Sequence, residues 1–141
     1  MLVRLLYASR AAASVDADAL QAILRQSKAN NPALGVTGVL CFSGGLFLQV
    51  LEGGRGNVNR LYNRIAADPR HTQVELMRYE EIDERRFAGW AMGQVNLARV
   101  NGALLLKYSE TETLDPYAVS GRVSMALFEE LVATASVCGP I

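Results

Sequence analysis

The sequence predicts one α+β domain whose sheet is covered on both sides, by two helices on one face and by C-terminal helices on the other. Three observations carry this. Residues 35–52, GVTGVLCFSGGLFLQVLE, are two runs of strand-forming residues around Ser43-Gly44-Gly45, the pattern of a β-hairpin. Both faces of the second run are apolar, with Phe47 and Leu51 on one side and Leu46, Leu48 and Val50 on the other. A half-solvated strand would instead alternate with polar residues, so each side of the sheet needs a cover. Finally, the segments run βαββαββ, the ferredoxin-like order with an antiparallel or mixed sheet, and residues 98–141 hold further helix for the second face.

The chain has 141 residues, is 50% hydrophobic and balances 14 basic against 14 acidic side chains. These values suit a single domain with a sizeable core. Zero net charge gives no broad footprint for nucleic acid or an anionic membrane. No apolar run approaches the roughly 18 residues of a membrane span, and the N-terminal MLVRLLYASR is charged too soon for a signal peptide, so the expected compartment is the cytoplasm. Cys41 and Cys138 are far apart and His71 is the one histidine, so two reduced, buried thiols are expected and no metal site.

Taken in order, residues 2–8 read as a strand with Val3, Leu5 and Tyr7 on one face and Leu2, Arg4 and Leu6 on the other. Tyr7 is thereby placed near the strand's end. Ser14 caps the next helix, with Asp16 and Asp18 at its positive dipole end and Val15, Ala19 and Ile23 on its apolar stripe. Proline disfavours helix in the residue before it, so this helix is expected to fade at Asn30-Asn31-Pro32. The hairpin follows. Its Gln49 lies among hydrophobes on the Phe47 face, and a buried amide without partners costs about 1–3 kcal/mol, so it must meet protein polar groups or a ligand.

The glycine-rich GGRGN after the hairpin reads as a strand-to-helix turn, because it lacks both the third glycine of a dinucleotide fingerprint and the GKS/T of a P-loop. Val58, Leu61, Tyr62 and Ile65 form the stripe of a second helix that Pro69 stops. Arg64, Asp68, Arg70 and His71 then cluster at the helix exit, as a solvated terminus or a polar rim around a ligand tail. Residues 72–82 suit a strand with Val74, Leu76 and Tyr79 inward, before the charged turn DERR, expected to be solvated. A last strand over residues 90–95 would put Trp90, Met92 and Gln94 on one face, ordinarily core filling. Asp115-Pro116 is read as the N-cap and N1 of a final helix, with Val123, Leu127, Leu131, Phe128, Val132 and Ala135 closing the second face.

Individually these polar residues are weak signals, but their settings are specific. LLYAS, NNPALGVTGVL, FLQVLEG, ADPRH and RRFAGWAM, in this order over about residues 1–97, resemble the BLUF family of blue-light sensors using flavin, here of a short, effectorless type. The resemblance implies a flavin-binding core at 1–97, a C-terminal helical cap at 98–141 and FAD, with FMN or riboflavin as options. It implies that Asn31 bonds the pyrimidine edge and that Gln49 bridges Tyr7 and the ring. Trp90 and Met92 report on Gln49 from the last strand, while Arg64, Asp68, Arg70 and His71 surround the ring edge and tail. No residue is catalytic. Light drives an electron and a proton from Tyr7 to the flavin, Gln49 rearranges, and the oxidised flavin returns with altered hydrogen bonds and a slightly red-shifted absorption. The output would be association, with another copy of the chain or with an unidentified downstream protein. Two enzyme readings compete, a flavin-dependent oxidoreductase and an acylphosphatase-like hydrolase using Arg64 and Asn31 as an anion site; a third reading is a flavinless adaptor. The oxidoreductase lacks a nicotinamide fingerprint, and the hydrolase leaves the aromatic and thioether residues around Gln49 without a task.

Overall fold

Gly44 and Gly45 take φ of +58° and +77°, the paired left-handed conformation of a two-residue hairpin turn. They join β2 (Thr37–Ser43) to β3 (Leu46–Gly54) with Leu40 opposite Gln49. The computed structural model describes residues 1–13 and 15–134. Around the hairpin lie β1 (Leu2–Ala11), α1 (Ala17–Leu34), α2 (Arg55–Ala67), β4 (His71–Ile82) and β5 (Gly93–Asn96), followed by α3 (Gly102–Leu106) and α4 (Gly121–Ala133). The sheet order is β4-β1-β3-β2-β5. All neighbours are antiparallel except β2 and β5, so the sheet is mixed.

Strand alternation sorts the core into two layers. Val3, Leu5, Tyr7, Leu40, Phe47 and Leu51 pack with Leu24 of α1 and Val58 of α2. Leu6, Ala8, Val39, Cys41, Leu48 and Val50 pack on the other side, against Leu105 of α3 and Met125, Leu127, Phe128 and Leu131 of α4. The two-sided apolarity of the hairpin is thus explained by a sheet buried between helical layers. None of the described helices is long and apolar enough to cross a membrane.

Several expectations need correction. β1 continues to Ala11, which puts Tyr7 in mid-strand. Asp16, not Ser14, accepts the capping bond from Ala19 N; Ser14, like Ala135 and Cys138, lies outside the described residues. α1 runs through Pro32 to Leu34 and ends on Gly35 at φ +65°. Pro32 sits in the last turn and lacks one N–H, a defect outweighed there by the tertiary bond of buried Asn31 and by the glycine cap.

Leu76 and Tyr79 are 47% and 38% exposed rather than inward, because β4 is an edge strand with irregular register against β1. Residues 90–92 precede β5 instead of belonging to it, so strand alternation does not govern them. Trp90 packs toward the α4 layer and Met92 toward the α1/α2 layer. Asp115-Pro116 forms an isolated turn, with Asp115 Oδ1 accepting from Tyr117 N, and the final helix starts on Ser120. Tyr117 bonds Gln73 O at 2.8 Å and its ring lies under Arg10, contacts that hold this segment at the sheet edge. The DERR turn is only partly solvated: Arg85 donates to Thr37 Oγ1 at 3.1 Å, and Arg86 pairs with Glu129.

Candidate functional site

A pocket opens between α1 and α2 above the middle of the sheet. Its floor is Tyr7, Leu40 and Gln49, on adjacent strands; Ile23, Leu34, Leu61 and Ile65 supply apolar walls from the two helices. Asn30 and Asn31 stand on one side, and Arg64, Asp68, Arg70 and His71 on another. The structure therefore brings together every predicted site residue except Trp90 and Met92 as lining groups. Met92 lies behind the floor, in contact with Gln49.

Tyr7 and Gln49 are cross-strand partners. The Tyr7 hydroxyl donates to Gln49 Oε1, while Gln49 Nε2 points at Met92 Sδ, 3.2 Å away. The amide is 5% exposed, and it is satisfied at one end by a phenol and at the other by a soft thioether acceptor. Burial, helped by Tyr62 and Asp68, pushes the Tyr7 phenol well above its ordinary pKa. A bare phenolate is costly there, so a proton leaves Tyr7 most readily when an electron leaves as well. Tyr62 sits 5.6 Å from the Tyr7 ring.

Asn31 donates its amide hydrogen to Ala91 O at 3.0 Å, which ties α1 to the segment before β5; its Oδ1 takes no hydrogen bond among the described residues. Asp68 grips Arg70 through the guanidinium and the backbone N–H. That hydrogen bond holds the Asp68 carboxyl below the usual range, and Arg70 is raised in turn. Burial pushes His71 below the ordinary imidazole value, with Asp68 opposing, and Ser9 Oγ stands 2.8 Å from its Nδ1. Ser9 was not among the expected site residues, although alternation along β1 places it on the face of Tyr7. Arg64 lines the pocket without an ion-pair partner among the described residues.

Trp90 departs from expectation most. It lies on the far side of the sheet, its carbonyl accepting from Gly38 N at 3.0 Å and its indole N–H unpartnered among the described residues. The choice between Trp90 and Met92 as neighbour of Gln49 is therefore Met92 here.

Fold and pocket together define a ferredoxin-like domain with a pocket between its helices that combines apolar walls with hydrogen-bonding groups. The family model described as BLUF, sensors of blue light using FAD, matches residues 2–93, and the chain belongs to that family. It is 38% identical over 92 residues to the photoactivated adenylate cyclase subunit beta of Euglena longa, covering 64% of this chain and 11% of the cyclase. It is 31% identical over 87 residues to the blue light- and temperature-regulated antirepressor BluF of Escherichia coli K12, covering 62% of this chain and 22% of that protein. This chain thus spans a small part of those relatives. Two solved structures match nearly end to end. BlsA in its photo-activated state has a TM-score of 0.85 at 30% identity, covering 94% of this chain and 95% of that one. BlrB, a BLUF protein in its dark state, has a TM-score of 0.80 at 32% identity, covering 95% and 96%.

The residues present fit a flavin. Apolar walls from two helices suit the faces of a flat ring, and the free Asn31 oxygen with the Tyr7–Gln49 pair suits a ring edge that mixes donors and acceptors. The Asp68–Arg70 pair and Arg64 offer polar partners for a hydroxylated or phosphorylated tail.

Proposed function

We propose that this chain is a blue-light photoreceptor in which Tyr7 and Gln49 are the photoactive pair and no substrate is turned over. The observation that carries this reading is the Gln49 amide, enclosed between a phenol donor and the Met92 thioether at the floor of the pocket between the two helices. A flavin bound there supplies, on absorbing blue light, an acceptor for one electron and one proton. Tyr7 gives up the electron and the proton together, since burial disfavours its charged phenolate, and takes both back once Gln49 has rearranged, so no net redox change remains. Gln49 then exchanges its donor and acceptor ends: once the Tyr7 hydroxyl stops donating, the amide can reverse with little movement of mass. Met92 accepts one amide end weakly, so it holds the resting arrangement without locking it.

Asn31 orients the ring through its unpaired oxygen, and Arg64, Asp68, Arg70 and His71 line the ring edge and tail side. FAD is the expected flavin, with FMN or riboflavin able to occupy the same ring slot. Residues 1–97 form the flavin core and residues 98–141 its cap, a division supported by the family match ending at 93 and by the α3 and α4 side chains buried against the sheet. The output is association with a second copy of the chain or with a protein partner that reads this cap.

The test is the absorption spectrum of purified, flavin-loaded protein before, during and after blue illumination. A small red shift that relaxes in darkness is expected. A flavin that bleaches to its reduced form on adding a reduced nicotinamide dinucleotide would overturn the reading in favour of an oxidoreductase.

A further inference from the structure

Glu52 is fully buried on the face of β3 turned away from the pocket, and nothing in the light reaction described above uses it. Four nitrogens hold its carboxylate. Oε2 is met by Arg4 Nε and Nη2, each at 2.8 Å, and accepts from Arg86 N at 3.1 Å, and Oε1 accepts from Phe87 N at 2.7 Å. Arg4, its register partner on β1, also reaches Glu80 at 2.9 Å. A buried ion pair adds little net stability over apolar groups of the same shape, so a carboxylate with every oxygen engaged is better explained by the geometry it imposes.

That geometry concerns residues 86–92. At one end Glu52 pins the backbone of Arg86 and Phe87. At the other end three consecutive residues are held by the pocket layer: Trp90 O by Gly38 N, Ala91 O by Asn31, and Met92 Sδ by Gln49. Between these anchors the segment is short and without regular structure, so a shift at one end displaces the other. Phe87 also meets Phe128 of α4 edge to face at 6.2 Å, and the Arg86 side chain reaches Glu129 at 3.3 Å.

Resting on the photoreceptor reading, we infer that Glu52 is a positioning residue for the light response: it pins residues 86 and 87 so that Met92 stands against the Gln49 amide, and it connects that contact to α4 through Phe87. Four donor nitrogens converge on two acidic oxygens. Glu52→Gln puts an NH₂ where one of them must bond, which releases the segment while keeping size and shape. Met92 then meets Gln49 only part of the time, and the amide recovers its resting partner more slowly.

The experiment uses the full chain loaded with FAD, comparing the parent with Glu52→Gln, Glu52→Asp and Glu80→Gln. Glu80→Gln perturbs Arg4 from its other side and leaves residues 86 and 87 untouched. Two readouts are taken: the rate of dark recovery after blue light, and the methyl ¹³C NMR resonance of Met92 in darkness, assigned by its loss in Met92→Leu. Glu52→Gln should slow recovery by about fivefold and move or broaden the Met92 methyl resonance, with Glu80→Gln like the parent on both counts. Should Glu52→Gln not fold, Glu52→Asp, which keeps the charge but draws it back by one methylene, must show the same two changes. An unchanged resonance overturns the inference, as do equal effects in Glu80→Gln, which would mark general destabilisation. A parent without any reversible shift overturns the photoreceptor reading instead, while the dark Met92 resonance still decides whether Glu52 places that side chain.

Discussion

Gln49 has two chemically opposite ends, and the chain gives each a partner of different strength. Tyr7→Phe removes the stronger one; the protein should still bind flavin and lose its reversible red shift, as read by absorption before and after illumination. Gln49→Ala removes the amide itself and should give the same result, whereas an intact shift in that variant would contradict the proposed role. His71 offers a test through pH. The folded chain keeps its imidazole neutral, below the ordinary value of about 6.5, because it is buried. The unfolded chain takes up that proton as the pH falls past about 6.5, so the stability His71 contributes is complete above that pH and declines below it. Asp68, held low by Arg70, adds a further loss below about pH 4. The melting temperature should therefore fall between about pH 7.5 and 5.5, and His71→Gln should flatten that slope.

At the scale of the element, β2 and β3 approach each other with no allowance for a side chain at Gly38. A Cβ there would lie 2.0 Å from Val50 O, backbone that cannot retreat without breaking the hairpin. Gly38→Ala should destabilise the fold by about 3 kcal/mol or more, measured by urea unfolding. It should also disturb Trp90, whose carbonyl accepts from Gly38 N. The hairpin was readable because turn glycines and strand alternation are local signals. The end of α1 and the start of α4 were not, for reasons lying outside the local sequence. Asn31 stays helical before a proline because Ala91 O, sixty residues on, holds its side chain. Asp115-Pro116 has the chemistry of a helix start, yet Tyr117 is drawn to Gln73 at the sheet edge and the helix waits for Ser120. Ser120→Ala should cost about 1 kcal/mol, since its hydroxyl accepts from Val123 N.

At the scale of the whole molecule, the sheet parts the core into a pocket layer and a cap layer. Leu127→Ala, deep in the cap layer, should cost about 2–5 kcal/mol in urea unfolding while leaving the dark flavin spectrum unchanged. The membership of the pocket was legible from Tyr7, Asn31, Gln49 and the ADPRH cluster, because alternation and family resemblance agree there. The side taken by Trp90 was not legible. Alternation holds only within a strand, and residues 90–92 lie just before β5, where a bend sends Trp90 and Met92 to opposite layers.

The edge position of β4 bears on how copies of the chain behave at high concentration. A twelve-residue strand with one side unpaired is a template on which another strand can build. Here Glu75, Arg78, Glu80 and Glu81 stud that strand beside the exposed Leu76 and Tyr79. An incoming strand would have to strip water from these charges. Replacing Glu75 and Glu81 together by valine should therefore promote fibrous aggregation of the concentrated protein, read by thioflavin fluorescence, because the strand that closes one edge of the sheet would lose charges that guard it.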